Sequence, residues 1–399
     1  MLFSIVSEIL NLRSCKTTIP DLVSDVYDQD SYVQQQNYQK EKIRFGIIET
    51  VINSSIIIFM FTLKGFGLVH NIIENLTSNT IYQSLLFFGI LALLTLIISI
   101  PFSYYDKFVI EEKYGFNRST KKLFITDTFK SLLITILLGG LTVWITSWLF
   151  YYHYTVFWIA TLSFFLIFSL LMNALYSSVI LPIFNKKKPI DDQNLKQKIQ
   201  ELSSLLGFSI NNIYIIDGSK RSSKANAFFT GFGKQKRVFL YDTLINKLND
   251  DEVLAVMAHE LGHYKKHHVW LNLLIGMSQL AFFIYLFNLI SKSPVFSQVM
   301  GVNVNFPVFH LCIICLALLI EPIQLIIGIA NNYISKTMEY SADRFATHLG
   351  MGNALITGLK KLSSMNYSNL TPNDIYVAIY YSHPTLYKRI QRIFKNSAP

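Results

Sequence analysis

Six stretches of this 399-residue chain are long and apolar enough to cross a bilayer, and that limits its fold more than any other feature. They run approximately Gly46 to Leu63, Ile81 to Ile100, Leu132 to Leu149, Val156 to Leu181, Trp270 to Ile290 and Val308 to Ala330. About 18 mainly apolar residues suffice to cross a hydrocarbon core of roughly 30 Å as a helix. Buried helices of a soluble protein would show a polar face at this length; these show almost none. Charged residues make up 15% of the chain, where about 25% is usual for a soluble domain. With 31 Phe and 22 Tyr the chain is neither low-complexity nor collagen-like, and three cysteines make no disulfide scaffold.

A formal charge of +10 would point to nucleic acid if the basic residues shared one surface. They do not. Six alternating crossings divide the polar segments between two sides, and of 35 basic residues only Lys64 and Lys292 fall on one of them. Cytoplasmic loops retain positive charge, so every large loop is expected on a cytoplasm-like side, with membrane lipid and not nucleic acid as the partner. Met1 to Leu12 is apolar but short, contains Glu8 and lacks a basic leader, so no cleavable signal is expected. Asn75-Leu76-Thr77 is a glycosylation sequon on the opposite face, relevant only in a eukaryotic secretory membrane.

The polar stretch between the fourth and fifth crossings has the pattern of a compact α+β unit. Leu195 to Leu206 has helical spacing, Gly207 ends it, and Ile213 to Ile216 is a short β-branched strand. Ala227 to Phe229 and Val238 to Tyr241 read as further strands around a turn at Gly231 to Lys236. Asp250 is placed to cap a helix through Glu252, Val253, Val256, Met257 and Leu261.

That helix continues into His259-Glu260-Leu261-Gly262-His263. Histidines at i and i+4 lie on one helical face and can share a metal. Catalytic zinc takes three protein ligands and leaves a fourth position to water, and Glu260, next to the first histidine, can take a proton from that water. The third ligand is expected on a second helix after the last crossing. Glu339 and Asp343 form another i, i+4 pair there: Glu339 closes the site and Asp343 accepts a hydrogen bond from a ligand histidine.

His383, before Pro384, is a candidate donor to the oxyanion formed when water attacks a carbonyl, and Arg389 either holds a carboxylate or braces Asp343. His267 and His268 sit in a basic run before a crossing, where lipid headgroups are the expected contact. Cys312 and Cys315 make a CxxC inside an apolar crossing, which favours helix packing over zinc or redox chemistry. Glu321 in the same crossing lines either a water-filled chamber or a structural pair, and Pro322 beside it opens the local backbone bonding.

Taken together these residues resemble the integral-membrane CAAX prenyl proteases of the zinc-metalloprotease type. The resemblance spans nearly the whole chain. It rests on Asp106 to Asn117, on Gly218 to Ser223 with Asn226-Ala227-Phe228-Phe229, and on Phe239 to Leu244. It continues through Val253 to Ala255 with His259 to His263, through Glu339 to Asp343, and through Ser382-His383-Pro384 with Arg389. It implies a mainly α fold, a polytopic membrane helical bundle enclosing a chamber, with a small α+β zinc-metalloprotease domain on the cytoplasmic side. It also implies one Zn2+ per chain held by His259, His263 and Glu339, with Glu260 as general base and Asp343 behind a ligand. Asn226 and its neighbours would form an edge strand for an extended peptide or protein substrate, lipidated at its C terminus, with His383 and Arg389 at the cleft. The family's membrane is the endoplasmic reticulum in eukaryotes and the inner membrane in bacteria.

The expected organisation is residues 1–182 with four spans, 183–269 as the protease domain, 270–330 as two further spans, and 331–399 completing the metal site. Met1 to Leu12 resembles the tail of the family's first helix, and Lys336 stands where an arginine is usual. Other readings stay open: a general membrane quality-control metalloprotease, or a transporter or channel with Glu321 on its pathway. The missing inverted repeat counts against transport, and Glu260 counts against an inactive binder of lipidated tails.

Overall fold

A computed structural model gives the fold and describes residues 1–16, 18–207, 212–230 and 237–397. The turn expected at residues 231–236 lies outside the described residues. The membrane part opens with α1 (Leu2–Arg13), α2 (Gln29–Thr62), α3 (Gly65–Glu74) and α4 (Thr80–Tyr105). It continues with α5 (Lys121–Ile134), α6 (Gly140–Tyr152), α7 (Phe157–Leu175) and the short α8 (Leu181–Phe184).

The soluble unit follows with β1 (Lys187–Pro189), α9 (Gln193–Leu205), β2 (Asn212–Ile216), β3 (Ala227–Thr230), β4 (Arg237–Tyr241), α10 (Asp242–Ile245) and α11 (Asp250–Lys265). Next come α12 (His268–Ile290), α13 (Val295–Val299), α14 (Phe309–Leu319), α15 (Glu321–Ala346), α16 (Gly352–Met365), α17 (Asp374–Tyr380) and α18 (Leu386–Ser397).

Among the described residues, five continuous helical segments are long and apolar enough to span a bilayer: Gln29–Thr62, Thr80–Glu111, Lys121–Tyr152, Tyr154–Phe184 and His268–Ile290. The sixth expected crossing is broken. α14 and α15 meet at 59°, because Pro322 in the first turn of α15 has no N–H to continue the ladder. Glu321 at this break is 74% exposed, with Oε1 4.0 Å from the Met1 amino group. Only 0% to 17% of each continuous span's most apolar window is buried, so these helices ring an open interior and do not pack as a solid bundle.

Cys312 and Cys315 are free, buried thiols packed among Phe150, Phe287 and Phe309 on one side and Phe66, Phe87 and Leu311 on the other. Their pairing is helix packing, as the sequence indicated.

The sheet order is β1-β2-β4-β3. β2 runs parallel to β4, with Ile213 opposite Val238, and β3 pairs antiparallel with β4, with Phe228 opposite Phe239. β3 is therefore an edge strand. β1, antiparallel to β2, was not legible in the sequence, since Lys187-Lys188-Pro189 shows no apolar alternation. Beneath the sheet, Val253, Met257 and Leu261 of α11 pack with Ile199, Leu240, Leu244, Ile390 and Ile393 in one core.

Two polar clusters tie this unit to the membrane helices. Arg221 donates to both Asp127 oxygens, at 2.9 and 3.1 Å, and to Asn185 Oδ1 at 2.7 Å. Lys224 Nζ donates to Glu111 Oε2 and the Tyr38 hydroxyl at 2.9 Å each, and the Tyr38 hydroxyl donates to Glu111 Oε1 at 2.6 Å. Together these clusters fix the loop that enters β3.

Candidate metal centre and substrate cleft

α11 begins with a capping box: Asn249 Oδ1 accepts from the Glu252 N–H and Glu252 Oε2 accepts from the Asn249 N–H, 2.9 Å each. The cap falls one residue before the expected Asp250, because only Asn249 stands three residues from a glutamate that can reciprocate. α15 crosses α11 at Gly262, where a Cβ would come within 3.2 Å of the Ala342 Cα and 3.1 Å of the Phe345 ring. Glycine lets the helices approach until Glu339 faces the two histidines.

His259 Nε2 lies 3.2 Å from His263 Nε2 and 3.4 Å from Glu339 Oε2, and His263 Nε2 lies 3.2 Å from Glu339 Oε1. Among the described residues this is the one His/Cys/Asp/Glu trio whose donor atoms all fall within 4.8 Å of one another. Two nitrogens at the zinc–imidazole distance, subtending a tetrahedral angle, stand about 3.3 Å apart. The three side chains thus fit such an ion without rearrangement. Glu339 Oε2 is buried and lacks a well-formed hydrogen bond among the described residues, its nearest cationic neighbours being His259 Nε2 at 3.4 Å and Arg389 Nη1 at 3.7 Å, so it keeps lone-pair capacity for a metal ion.

The electrostatics agree. Glu339, Asp343 and Arg389 together leave a net negative charge in a buried pocket, which a protonated His259 balances while it holds its proton and a metal ion would balance once the imidazole is neutral. Burial opposes charge on His259, but its contacts with Asp343 and Glu339 outweigh that and hold its pKa up at about 9. Burial likewise opposes charge on Glu339, yet hydrogen bonds from His259 and His263 keep its carboxyl far below the usual range. Asp343, 1% exposed, is held low against burial chiefly by the Arg389 guanidinium.

Asp343 Oδ1 accepts from His259 Nδ1 at 2.9 Å, which turns Nε2 toward the centre, where a metal ion would take the place of its proton. Arg389 donates to Asp343 Oδ1 and Oδ2 at 2.6 and 2.9 Å. Of the two readings open for Arg389, the geometry favours bracing Asp343. His383 is 64% exposed, with Nε2 3.4 Å from Glu339 Oε1 and Nδ1 2.9 Å from the Ser382 hydroxyl. Lys336 Nζ donates to the Val377 and Ala378 carbonyls at 2.8 and 3.2 Å, bracing α15 against α17.

His268 was expected among lipid headgroups and is instead buried, with Nδ1 2.9 Å from His263 Nδ1. It orients the second histidine much as Asp343 orients the first. No spacing rule marks it, because a helix break at left-handed His267 separates the two.

A cavity of about 570 Å³ opens on two of the three, His259 and Glu339. Glu260, His259, Glu339, His383 and Arg389 line it, together with Asn226 and Ala227 of the strand edge and Tyr38, Asn366 and Asn369. Phe228 and Phe229, next along the strand, do not line it: the Phe228 ring stacks on Phe239 at 5.2 Å and the Phe229 ring packs on Tyr264 at 5.8 Å. Asn366 and Asn369 carried no sequence signal, since they sit in a loop around left-handed Tyr367.

Comparison with known proteins agrees along the whole chain. The family model described as CAAX prenyl protease N-terminal, five membrane helices, matches residues 8–186, and that of peptidase family M48 matches residues 189–397. CAAX prenyl protease 1 of Saccharomyces cerevisiae is 32% identical, over 94% of this chain and 88% of its own length. The CAAX prenyl protease 1 homolog of Arabidopsis thaliana is 33% identical, over 94% of this chain and 90% of its own. The crystal structure of S. mikatae Ste24p superposes with a TM-score of 0.93 at 30% identity, covering 98% of this chain and 96% of that one.

Proposed function

The chain belongs to peptidase family M48, among the CAAX prenyl protease 1 proteins, and we propose that it is a zinc-dependent membrane endopeptidase that cleaves prenylated proteins near their C termini. The observation that carries this reading is the convergence of His259, His263 and Glu339, with His259, Glu339 and Glu260 lining a cavity bordered by the β3 strand edge. The charge asymmetry of the loops supports a cytoplasmic position for that cavity.

A substrate peptide adds to β3 as a further strand, held by main-chain hydrogen bonds that do not depend on its side chains. When bound, zinc supplies Lewis-acid polarisation of the scissile carbonyl and lowers the pKa of the attacking water. Glu260 takes the proton from that water and passes it to the leaving amine. His383 donates a hydrogen bond to the oxygen that gains charge, and its exposure lets it reach inward. Asp343, braced by Arg389, holds the His259 tautomer that leaves Nε2 free. The membrane helices take up the prenyl chain, which accounts for a peptidase site mounted on them.

Cleavage of one peptide with and without a farnesyl group, by the zinc-loaded and chelator-treated protein, tests this reading. Zinc-dependent turnover of the farnesylated form is expected. Equal rates on both peptides would favour a general quality-control protease, and metal-independent turnover would refute the mechanism.

A further inference from the structure

A peptide that pairs antiparallel to β3 along its free edge runs in a defined direction. The Asn226 carbonyl accepts from the Tyr241 N–H at 3.1 Å, so strand alternation turns the backbone groups of Ala225, Ala227 and Phe229 to the free side. A peptide added there runs from Thr230 toward Asn226, and its C-terminal part heads for Ala225. At Ala225 the edge is already filled. Its N–H donates to Asn366 Oδ1 at 3.0 Å and its carbonyl accepts from Asn366 Nδ2 at 3.2 Å. One side-chain amide takes the place of the next residue of an added strand and stops the ladder.

The wall beyond is short of acceptors. Ser363, Asn366 and Asn369 line the cavity that holds His259 and Glu260. Ser363 Oγ and Asn369 Nδ2 are buried with no hydrogen-bond partner among the described residues, and the two residues are 5% and 8% exposed. Asn369 cannot simply turn over, because its Oδ1 accepts from the Thr371 N–H at 3.0 Å. A buried donor left unmatched is costly, and a carboxylate, which only accepts, supplies what both groups lack.

We propose that Asn366, Ser363 and Asn369 form a subsite for the free C-terminal carboxylate of the substrate, ending the paired segment opposite Ala225. This rests on the peptidase reading and narrows it. A peptide whose cleaved tail ends in a carboxylate, as a C-terminal CAAX signal does, is preferred to one whose tail is amidated or extended.

The test uses one farnesylated peptide sequence as free acid, as C-terminal amide, and with a C-terminal extension, against the zinc-loaded full chain. The free acid is expected to exceed both others by about tenfold in kcat/KM, the difference lying in KM. Dissociation constants on the Glu260→Gln protein, which binds without turnover, should show the same ratio. Asn369→Asp keeps the acceptor for Thr371 but adds a like charge, and should abolish the preference. Ser363→Ala, a smaller change, should narrow it. Equal cleavage of acid and amide by the unmodified protein, or an unchanged ratio in both variants, overturns the subsite. If none of the three peptides is cleaved, the peptidase reading fails and the subsite with it.

Discussion

Arg389 grips Asp343 through two hydrogen bonds, Nη2 to Oδ1 at 2.6 Å and Nε to Oδ2 at 2.9 Å, while His259 Nδ1 shares the same Oδ1 at 2.9 Å. The guanidinium on α18 thereby sets the tautomer of a metal-facing imidazole on α11.

Arg389→Lys keeps the charge but cannot make both contacts. Zinc affinity is expected to fall about 10- to 100-fold, the range for losing the support of a ligand histidine. Competition with a chromogenic chelator measures it, and an unchanged affinity would remove Arg389 from the site's support.

Glu260→Gln preserves the size of the side chain and all three proposed ligands. Zinc content should stay at one ion per chain while kcat falls about 10²- to 10⁴-fold, as for loss of a general base. Metal analysis alongside peptide cleavage separates the two effects, and retained turnover would defeat the assigned role.

For His268, the contact with His263 predicts a split between two substitutions. His268→Phe removes the partner of His263 Nδ1 and should weaken zinc binding about tenfold. His268→Gln offers an oxygen acceptor and should recover much of that loss. Equal affinities would mean that the contact is incidental.

Glu252 gives a stability prediction with a definite sign. Burial opposes its charge, but Lys361 Nζ at 2.7 Å and the Asn249 N–H outweigh it, so its carboxyl is held below the usual glutamate value. The stability it contributes is fully present above pH 4.5, the ordinary value, and is lost as pH falls through the lower folded one. Glu252→Gln should cost about 1 kcal/mol at neutral pH and flatten the acid limb of a melting-temperature profile in detergent. A variant limb as steep as the original would contradict this.

The spans and the convergence of His259 and His263 were legible because each rests on a short-range rule: sustained apolar length, and two histidines one helical turn apart. The 59° break in the sixth crossing was foreshadowed by Pro322. What escaped were contacts made between elements distant in sequence. His268 reaches His263 only because the chain reverses at left-handed His267, and Asn366 reaches Ala225 from 141 residues away. Both are ordinary polar residues until the fold brings them to a backbone or ring nitrogen. β1 was missed for another reason: it is held by its neighbour's ladder and not by any pattern of its own.

The bend between α14 and α15 has a mechanical consequence. Glu339 sits about 27 Å along a rigid rod from the joint at Ile320, so a swing of about 2° there would carry its carboxylate about 1 Å. Contact at Gly262 pins the far end of that rod to α11. With no continuous backbone ladder across that elbow, the heading of α15, and with it the position of Glu339, is dictated by the surface of α11 and not by the crossing that precedes it.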